Sequence, residues 1–210
     1  MSTALPNSSG GRMIKAGFET IEPRTGTHTL VLQAAAETDG MDWVLEVTCP
    51  EGARYSILEH VHTDWLETFE ILKGAARYKL DGREAEASKG DVIVMPAGKP
   101  HIHPWNAGAG PMVYRQKNEF ARRSPEAVDD VLGVFATLNG LTREGKVGGK
   151  GLPKNPLQFA ATLRTLVKHE GFDASVPIPA QRFLSATLGW LAEALGYRAV
   201  YPRFVGDSKS

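Results

Sequence analysis

Two histidines, His60 and His62, followed by Glu67 inside the stretch EHVHTDWLETFEILKG, are the residues whose types and spacing carry chemistry in this chain. In a β-strand, residues i and i+2 point to the same face, so an extended His60–Val61–His62 projects both imidazoles side by side. Two imidazoles and a carboxylate converging on one spot are costly to bury unless something pairs with them. A divalent metal ion is such a partner, and these are its usual nitrogen and oxygen donors. A second histidine pair, His101 and His103, stands in GDVIVMPAGKPHIHPWN.

The elements that must position these residues are short. From about residue 14 to 119, extended runs alternate with turn signals at about ten-residue spacing, the mark of an all-β sandwich or barrel. THTLVLQAA and MDWVLEVTC are separated by AETDG, and TFEILKG and ARYKL lead into Asp81-Gly82, a two-residue hairpin signal. REAEA, VIVMP, HIHPW and MVYRQ follow, divided by Lys89-Gly90-Asp91 and NAGAGP. From Ser124 the period changes. Ser124-Pro125 and Asn155-Pro156 are helix starts. LQFAATLRTLVKHEG places Leu157, Ala160, Leu163 and Val167 on one helical face. A third helix is expected over about Pro179 to Gly196. The apolar faces of these helices read as ordinary core stripes, and REGKVGGKGLPK as a solvated connector without P-loop spacing. The expected organisation is a flexible lead-in over 1–13, a β-barrel over 14–123 and a helical extension over 124–210.

Composition narrows the function classes. The chain has 210 residues, 42% hydrophobic and 23% charged, with 24 basic and 24 acidic side chains. That balance provides no electrostatic footprint for nucleic acid or a membrane surface, and no run approaches the roughly 18 apolar residues of a membrane span. Cys49 is the single cysteine, so no intrachain disulfide forms, and its reading is a small residue in or near a strand. A cytoplasmic location is the expectation.

The two histidine stretches together resemble the two signature motifs of the cupin family. Gly52, His60, His62, Glu67 and Gly74 occupy the first, G(x)5HxH(x)3–4E(x)6G, with seven residues rather than five between Gly52 and His60. Gly90, Pro96, Gly98 and His101 match the second, G(x)5PxG(x)2H(x)3N, with the final Asn one position late at Asn106. EPRTGTHTLVLQAAAETDG, GKVGGKGLPKNPLQ and LGYRAVYP also resemble a subgroup of single-domain (cupin 2 type) proteins, so the likeness spans nearly the whole chain. The resemblance implies a small jelly-roll barrel, or double-stranded β-helix, followed by about three α-helices. It also implies one divalent transition metal per chain (Fe, Mn, Ni, Zn or Cu), held by His60, His62, Glu67 and His101. Three imidazoles and one carboxylate leave positions open on a five- or six-coordinate ion.

Around that site, strand parity puts Phe69 and Ile71 on the same face as Glu67. His103 is a candidate general base or supporting imidazole, with a rim histidine bonded to backbone or water as the other reading. Trp105 is either a pocket wall or core. Either Tyr114 or Arg115 reaches the pocket, not both, with Tyr114 placed among the expected pocket residues. The resemblance implies dioxygenase-type oxidation of a small enolisable or aromatic molecule, with Glu67 or His103 handling the proton. Oxygen-independent isomerase, cyclase or lyase chemistry and non-catalytic ligand binding are the alternatives. The N-terminal strands are apolar on more than one side, and small cupins resemble dimers, so a homodimer is expected. The helical tail is expected either to narrow the barrel mouth or to cover an outer apolar face.

Overall fold

A computed structural model describes residues 14–53 and 58–205. The expected lead-in over 1–13 lies outside the described residues. Ten strands form the first part: β1 (Glu19–Ile21), β2 (His28–Gln33), β3 (Asp42–Cys49), β4 (His60–His62), β5 (Trp65–Lys73), β6 (Ala75–Leu80), β7 (Arg83–Ser88), β8 (Val92–Met95), β9 (His101–Asn106) and β10 (Met112–Phe120). They make two antiparallel sheets, ordered β1-β2-β3-β10-β5-β8 and β11-β4-β9-β6-β7, where β11 (Gly171–Asp173) returns from the tail. This is the double-stranded β-helix expected from the sequence.

The alternation that marked these strands is a burial pattern. In β3, Trp43, Leu45, Val47 and Cys49 point inward, and in β5, Trp65, Glu67, Phe69 and Ile71 do. Each long apolar side chain removed from water contributes about 1.5–3 kcal/mol, which fixes the register because a one-residue slip would turn the whole set outward. The Asp81-Gly82 turn joins Leu80 to Arg83 with positive φ at both residues (51° and 79°), the backbone that a tight hairpin requires. Gly74, at φ 81°, turns the chain where a side chain would lie 3.1 Å from the Met112 Cα and the Pro111 carbonyl oxygen.

The separator AETDG is not a plain loop: it holds a short helix, α1 (Ala35–Thr38). After the strands come α2 (Pro125–Arg143), α3 (Pro156–Lys168), then α4 (Ile178–Leu184), a π-helical turn (Ser185–Gly189), α5 (Trp190–Ala194) and α6 (Pro202–Val205). Asn155 caps α3 as expected, its Oδ1 accepting from Leu157 N (2.9 Å) and Gln158 N (3.2 Å). Ser124 occupies the cap position of α2 without a side-chain cap bond, and its backbone N–H donates instead to the Gly40 carbonyl.

The tail is built into the barrel. Val128, Val131 and Leu132 of α2 enter the same core as Trp43, Leu45 and Phe69. β11 pairs with β4, with Gly171 opposite His62 and Asp173 opposite His60, and Phe172 packs on Val61 and Val167. One expectation is overturned outright. The third helical run does not carry an ordinary core stripe, because it buries Gln181, Ser185, Gly189 and Ala192 and exposes Phe183, Leu188, Trp190 and Leu195.

Candidate metal centre

Three strands deliver the donors. β4 presents His60 and His62 on one side with ring centroids 4.9 Å apart. β9 pairs His101 directly with His60 and places His103 two residues on, its ring parallel to that of His101. From the facing sheet, β5 sends in Glu67. Its Oε2 lies 2.8 Å from His101 Nε2, 3.0 Å from His103 Nε2 and 3.8 Å from His62 Nε2. One donor atom from each of His60, His62, Glu67, His101 and His103 falls within 4.8 Å of every other. The four expected ligands are thus brought together, and His103 stands among them rather than at the rim.

Backbone carbonyls select the tautomers. His60 Nδ1 lies 2.9 Å from the Leu58 carbonyl and His101 Nδ1 2.8 Å from that of Lys99. A carbonyl only accepts, so each Nδ1 carries the proton. This leaves the Nε2 lone pair of His60 for a cation, and that of His101 once a cation displaces the proton it shares with Glu67. His62 stacks flat on Trp65 at 3.9 Å, which fixes its ring plane. Its Nδ1 and the His101 Nε2 are buried without a hydrogen-bond partner of good geometry. His101 Nε2 lies beside the buried Glu67 carboxylate, and His62 turns its Nε2 to the same oxygen, an arrangement of donors that suits a metal-ligand set. The residues fit a divalent transition ion.

The electrostatics agree. Burial pushes His62 down to about 3, and burial together with the neighbouring imidazoles holds His60 well below the usual histidine range. Both rings are therefore neutral at physiological pH, the state that binds metal. Burial opposes ionisation of Glu67, yet the surrounding His103, His62 and His101 outweigh it and hold the carboxyl well below its ordinary value. Burial alone would lower His101, but the adjacent Glu67 carboxylate raises it above the usual value.

Two residues of the site were missed in the sequence. Gln116 Nε2 donates to Glu67 Oε1 at 3.2 Å, Asn118 Nδ2 donates to the same oxygen, and Gln116 also donates to Asn118 Oδ1 at 2.8 Å. They occupy Oε1 and leave Oε2 facing the histidines. The available signal was parity, since Tyr114, Gln116 and Asn118 alternate on β10 and all point inward.

A cavity of about 260 Å³ opens from this cluster. Its walls are mostly apolar: Val31, Leu45 and Val47 from the barrel, Phe135 from α2, Leu163 from α3 and Leu152 from the connector. The tail therefore lines the cavity, and the REGKVGGKGLPK segment is part of its wall rather than only a solvated link. Tyr114 lines it too, whereas Arg115 points outward and faces Glu70 at 3.6 Å.

The other residues expected around the pocket are placed differently. Phe69 and Ile71 are inward as parity required but lie in the barrel core, outside the cavity lining, with the Phe69 ring 4.9 Å from that of His103. Trp105 is turned off the pocket by a bulge. Lys79 pairs with Ile102 and Arg77 with Trp105, so His103 and Pro104 together oppose Tyr78 alone. The extra residue flips the following parity, and Trp105 shares the sheet face of its partner Arg77, where it is buried away from the cavity, as its core reading required. The same insertion explains the late motif Asn: Asn106 still arrives opposite Ala76, where its Nδ2 donates to the carbonyls of Cys49, Pro50 and Gly110.

Comparison with known proteins bears on this geometry. Residues 45–114 match the family model described as Cupin domain. Quercetin 2,3-dioxygenase of Bacillus subtilis (strain 168) is 33% identical over 73 residues, 35% of this chain and 21% of that enzyme. Among solved structures, a sugar phosphate isomerase of the cupin superfamily from Silicibacter pomeroyi is 25% identical, covering 45% of this chain and 59% of its own, with a TM-score of 0.39. A Klebsiella pneumoniae protein with a double-stranded β-helix domain is 20% identical over 45% of this chain and 77% of its own, with a TM-score of 0.38. The family match spans β4, β5 and β9, so the three strands that supply the five donors all lie within the stretch that matches the cupin domain.

Proposed function

We propose that this protein is a metal-dependent oxidoreductase of the dioxygenase type, acting on a small, largely apolar molecule that carries an enolisable carbonyl or a phenolic hydroxyl. The observation that carries this reading is a cluster of five ligand-competent donors, four of which (His60, His62, Glu67 and His103) line a mostly apolar cavity. A divalent transition ion held by His60, His62, Glu67 and His101 supplies Lewis acidity and, if redox-active, access to dioxygen. The apolar walls bind and orient the hydrocarbon part of the substrate, directing its acidic hydroxyl or α-carbon to the histidine end. His103 Nε2 and Glu67 Oε2, 3.0 Å apart, accept and hold the proton that the substrate loses. Gln116 and Asn118 keep the carboxylate from turning as that proton moves. Helices α2 and α3 wall off water, which strengthens polar interactions inside. Among the described residues the cavity is poor in cations: Arg24 and Lys150 are the basic lining residues besides the histidines, and Arg24 binds Glu22 at 2.7 Å. That supports an apolar substrate over a phosphorylated one.

The His103–Glu67 pair also favours a second reading, proton-transfer chemistry without oxygen in an isomerase, cyclase or lyase. The test is anaerobic purification, elemental analysis of the bound metal, and oxygen uptake with a panel of flavonols, β-diketones and other enolisable aromatics. Oxygen consumption coupled to product is expected. Product without oxygen uptake would move the assignment to the second reading. A ligand-induced thermal shift with no product in either atmosphere would refute an enzyme acting on these compounds.

A further inference from the structure

The helical run from α4 through the π turn to α5 is inside-out. Inward it presents Gln181, which bonds the backbone of Asp173 in β11, and Ser185, Gly189 and Ala192, all small or polar. The approach there is close: a Cβ on Gly189 would lie 2.8 Å from the Arg164 Cβ. The outward face carries the bulk, with Phe183 67%, Trp190 60%, Leu195 59% and Leu188 47% exposed, and Leu184 and Leu191 beside them. A helix of a lone globular chain orients its large apolar residues the other way.

The size and character of the face indicate its occupant. All six side chains, Leu184 and Leu191 included, are more than a third exposed, and a concentration of large apolar side chains on one face marks an interaction surface, a standard one burying roughly 800 Å² on each partner. Leu184, Leu188, Leu191 and Leu195 recur at intervals of four, three and four, the spacing by which one helix meets another along a seam. No charge interrupts the face. At its margins Arg182 is bound to Glu170 at 2.7 Å and Glu193 to Arg164 at 2.8 Å. A strip of this kind has nothing to repel its own copy, and an isologous contact doubles it. The chain's zero net charge and the absence of basic side chains along the strip remove the electrostatic attraction that interfacial helices use at anionic membranes.

We infer that the outward face of residues 183–195 is a self-association surface, on which a second copy of this chain packs across a two-fold axis. The expected homodimer is thereby assigned to the C-terminal helices rather than to the N-terminal strands. The inference is independent of the reaction proposed above.

The test is light scattering of the full chain at about 10 μM, with Leu188→Glu/Leu195→Glu as the disrupting variant. Twice the 22.8 kDa chain mass is expected for the parent protein, and a single chain mass for the variant with its far-ultraviolet dichroism retained. Because that variant's folding is itself a risk, the parent is also diluted while tryptophan emission is followed against Trp190→Phe. Burial of Trp190 on association predicts a red shift on dilution that the Phe variant lacks. A monomeric parent, a folded variant that stays dimeric, or dilution without a Trp190-dependent shift would overturn the inference. Flotation of monomeric parent protein with neutral phosphatidylcholine vesicles would overturn it in favour of a lipid surface.

Discussion

Replacing Asn118 with leucine tests whether Glu67 is held in place as a ligand by the side chains behind it. Asn118 is fully buried, and it shares Glu67 Oε1 with Gln116, whose own bond is 3.2 Å long. Leucine keeps the branched shape and opens little cavity. The change removes two hydrogen bonds, the one Asn118 donates to Glu67 Oε1 and the one its Oδ1 accepts from Gln116 Nε2. Because Gln116 Nε2 keeps Glu67 as its acceptor, the bond to the charged carboxylate dominates the loss. A hydrogen bond to a charged acceptor contributes about 1.5–3 kcal/mol. Since Oε1 keeps its Gln116 donor, the metal-free protein should lose about 2 kcal/mol, near the lower part of that range. At about 2–4 °C per kcal/mol for a chain of this size, the Tm in EDTA falls by about 4–8 °C. With metal present the effect is larger, because a carboxylate free to turn presents Oε2 for less of the time. Outer partners of ligands contribute about 10–100-fold in metal affinity, equivalent to about 1.4–2.7 kcal/mol. Differential scanning fluorimetry with and without EDTA gives the first quantity, and competition against a chelator of known affinity gives the second. A variant with lowered Tm and metal affinity within twofold of the parent would refute the clamp, leaving Asn118 as packing alone.

Other consequences follow from the same geometry. His60→Ala/His62→Ala should remove most of the bound metal by elemental analysis, and near-full occupancy in that variant would overturn the ligand assignment. Burial pushes the Cys49 thiol up to about 11, so the native protein should resist alkylation at about pH 8 and react only as it unfolds; labelling at the rate of a free thiol would contradict this. Asp130 is held below its ordinary range: burial opposes ionisation, but His169 Nε2 at 2.6 Å and Lys168 at 3.1 Å outweigh it. A depressed carboxylate stabilises above its unfolded pKa and loses that contribution as pH falls, so acid destabilisation should begin at about pH 4 and be shallower in Asp130→Asn. Equal slopes in urea unfolding at acid pH would count against it. Truncation after Arg123 strips Val128 and Val131 from the core and β11 from β4. The shortened chain should aggregate or unfold, and a soluble, metal-binding product would show the barrel to be self-sufficient.

What the sequence determined by itself is what local geometry controls. The i, i+2 spacing of His60 and His62 and the periodicity of β3 and β5 were legible because they depend on the side-chain alternation of one strand. The Asp81-Gly82 hairpin depends only on the backbone freedom of those two residues. The family motifs added His101 to that set, since its partnership with Glu67 is one that no single strand could reveal. The tertiary structure decided everything that depends on which strand lies across from which. Asn118 and Gln116 reach Glu67 only because β10 pairs with β5, about fifty residues away in the chain. β11 was illegible because three residues, Gly171 to Asp173, carry no strand pattern until β4 offers an open edge. Trp105 reversed its face because a bulge at His103 and Pro104 changed parity within the strand. The tail helix read as amphipathic, and it is. A period tells which residues share a face but not which face is buried, and Gly189, by letting α3 approach, turned the leucines outward.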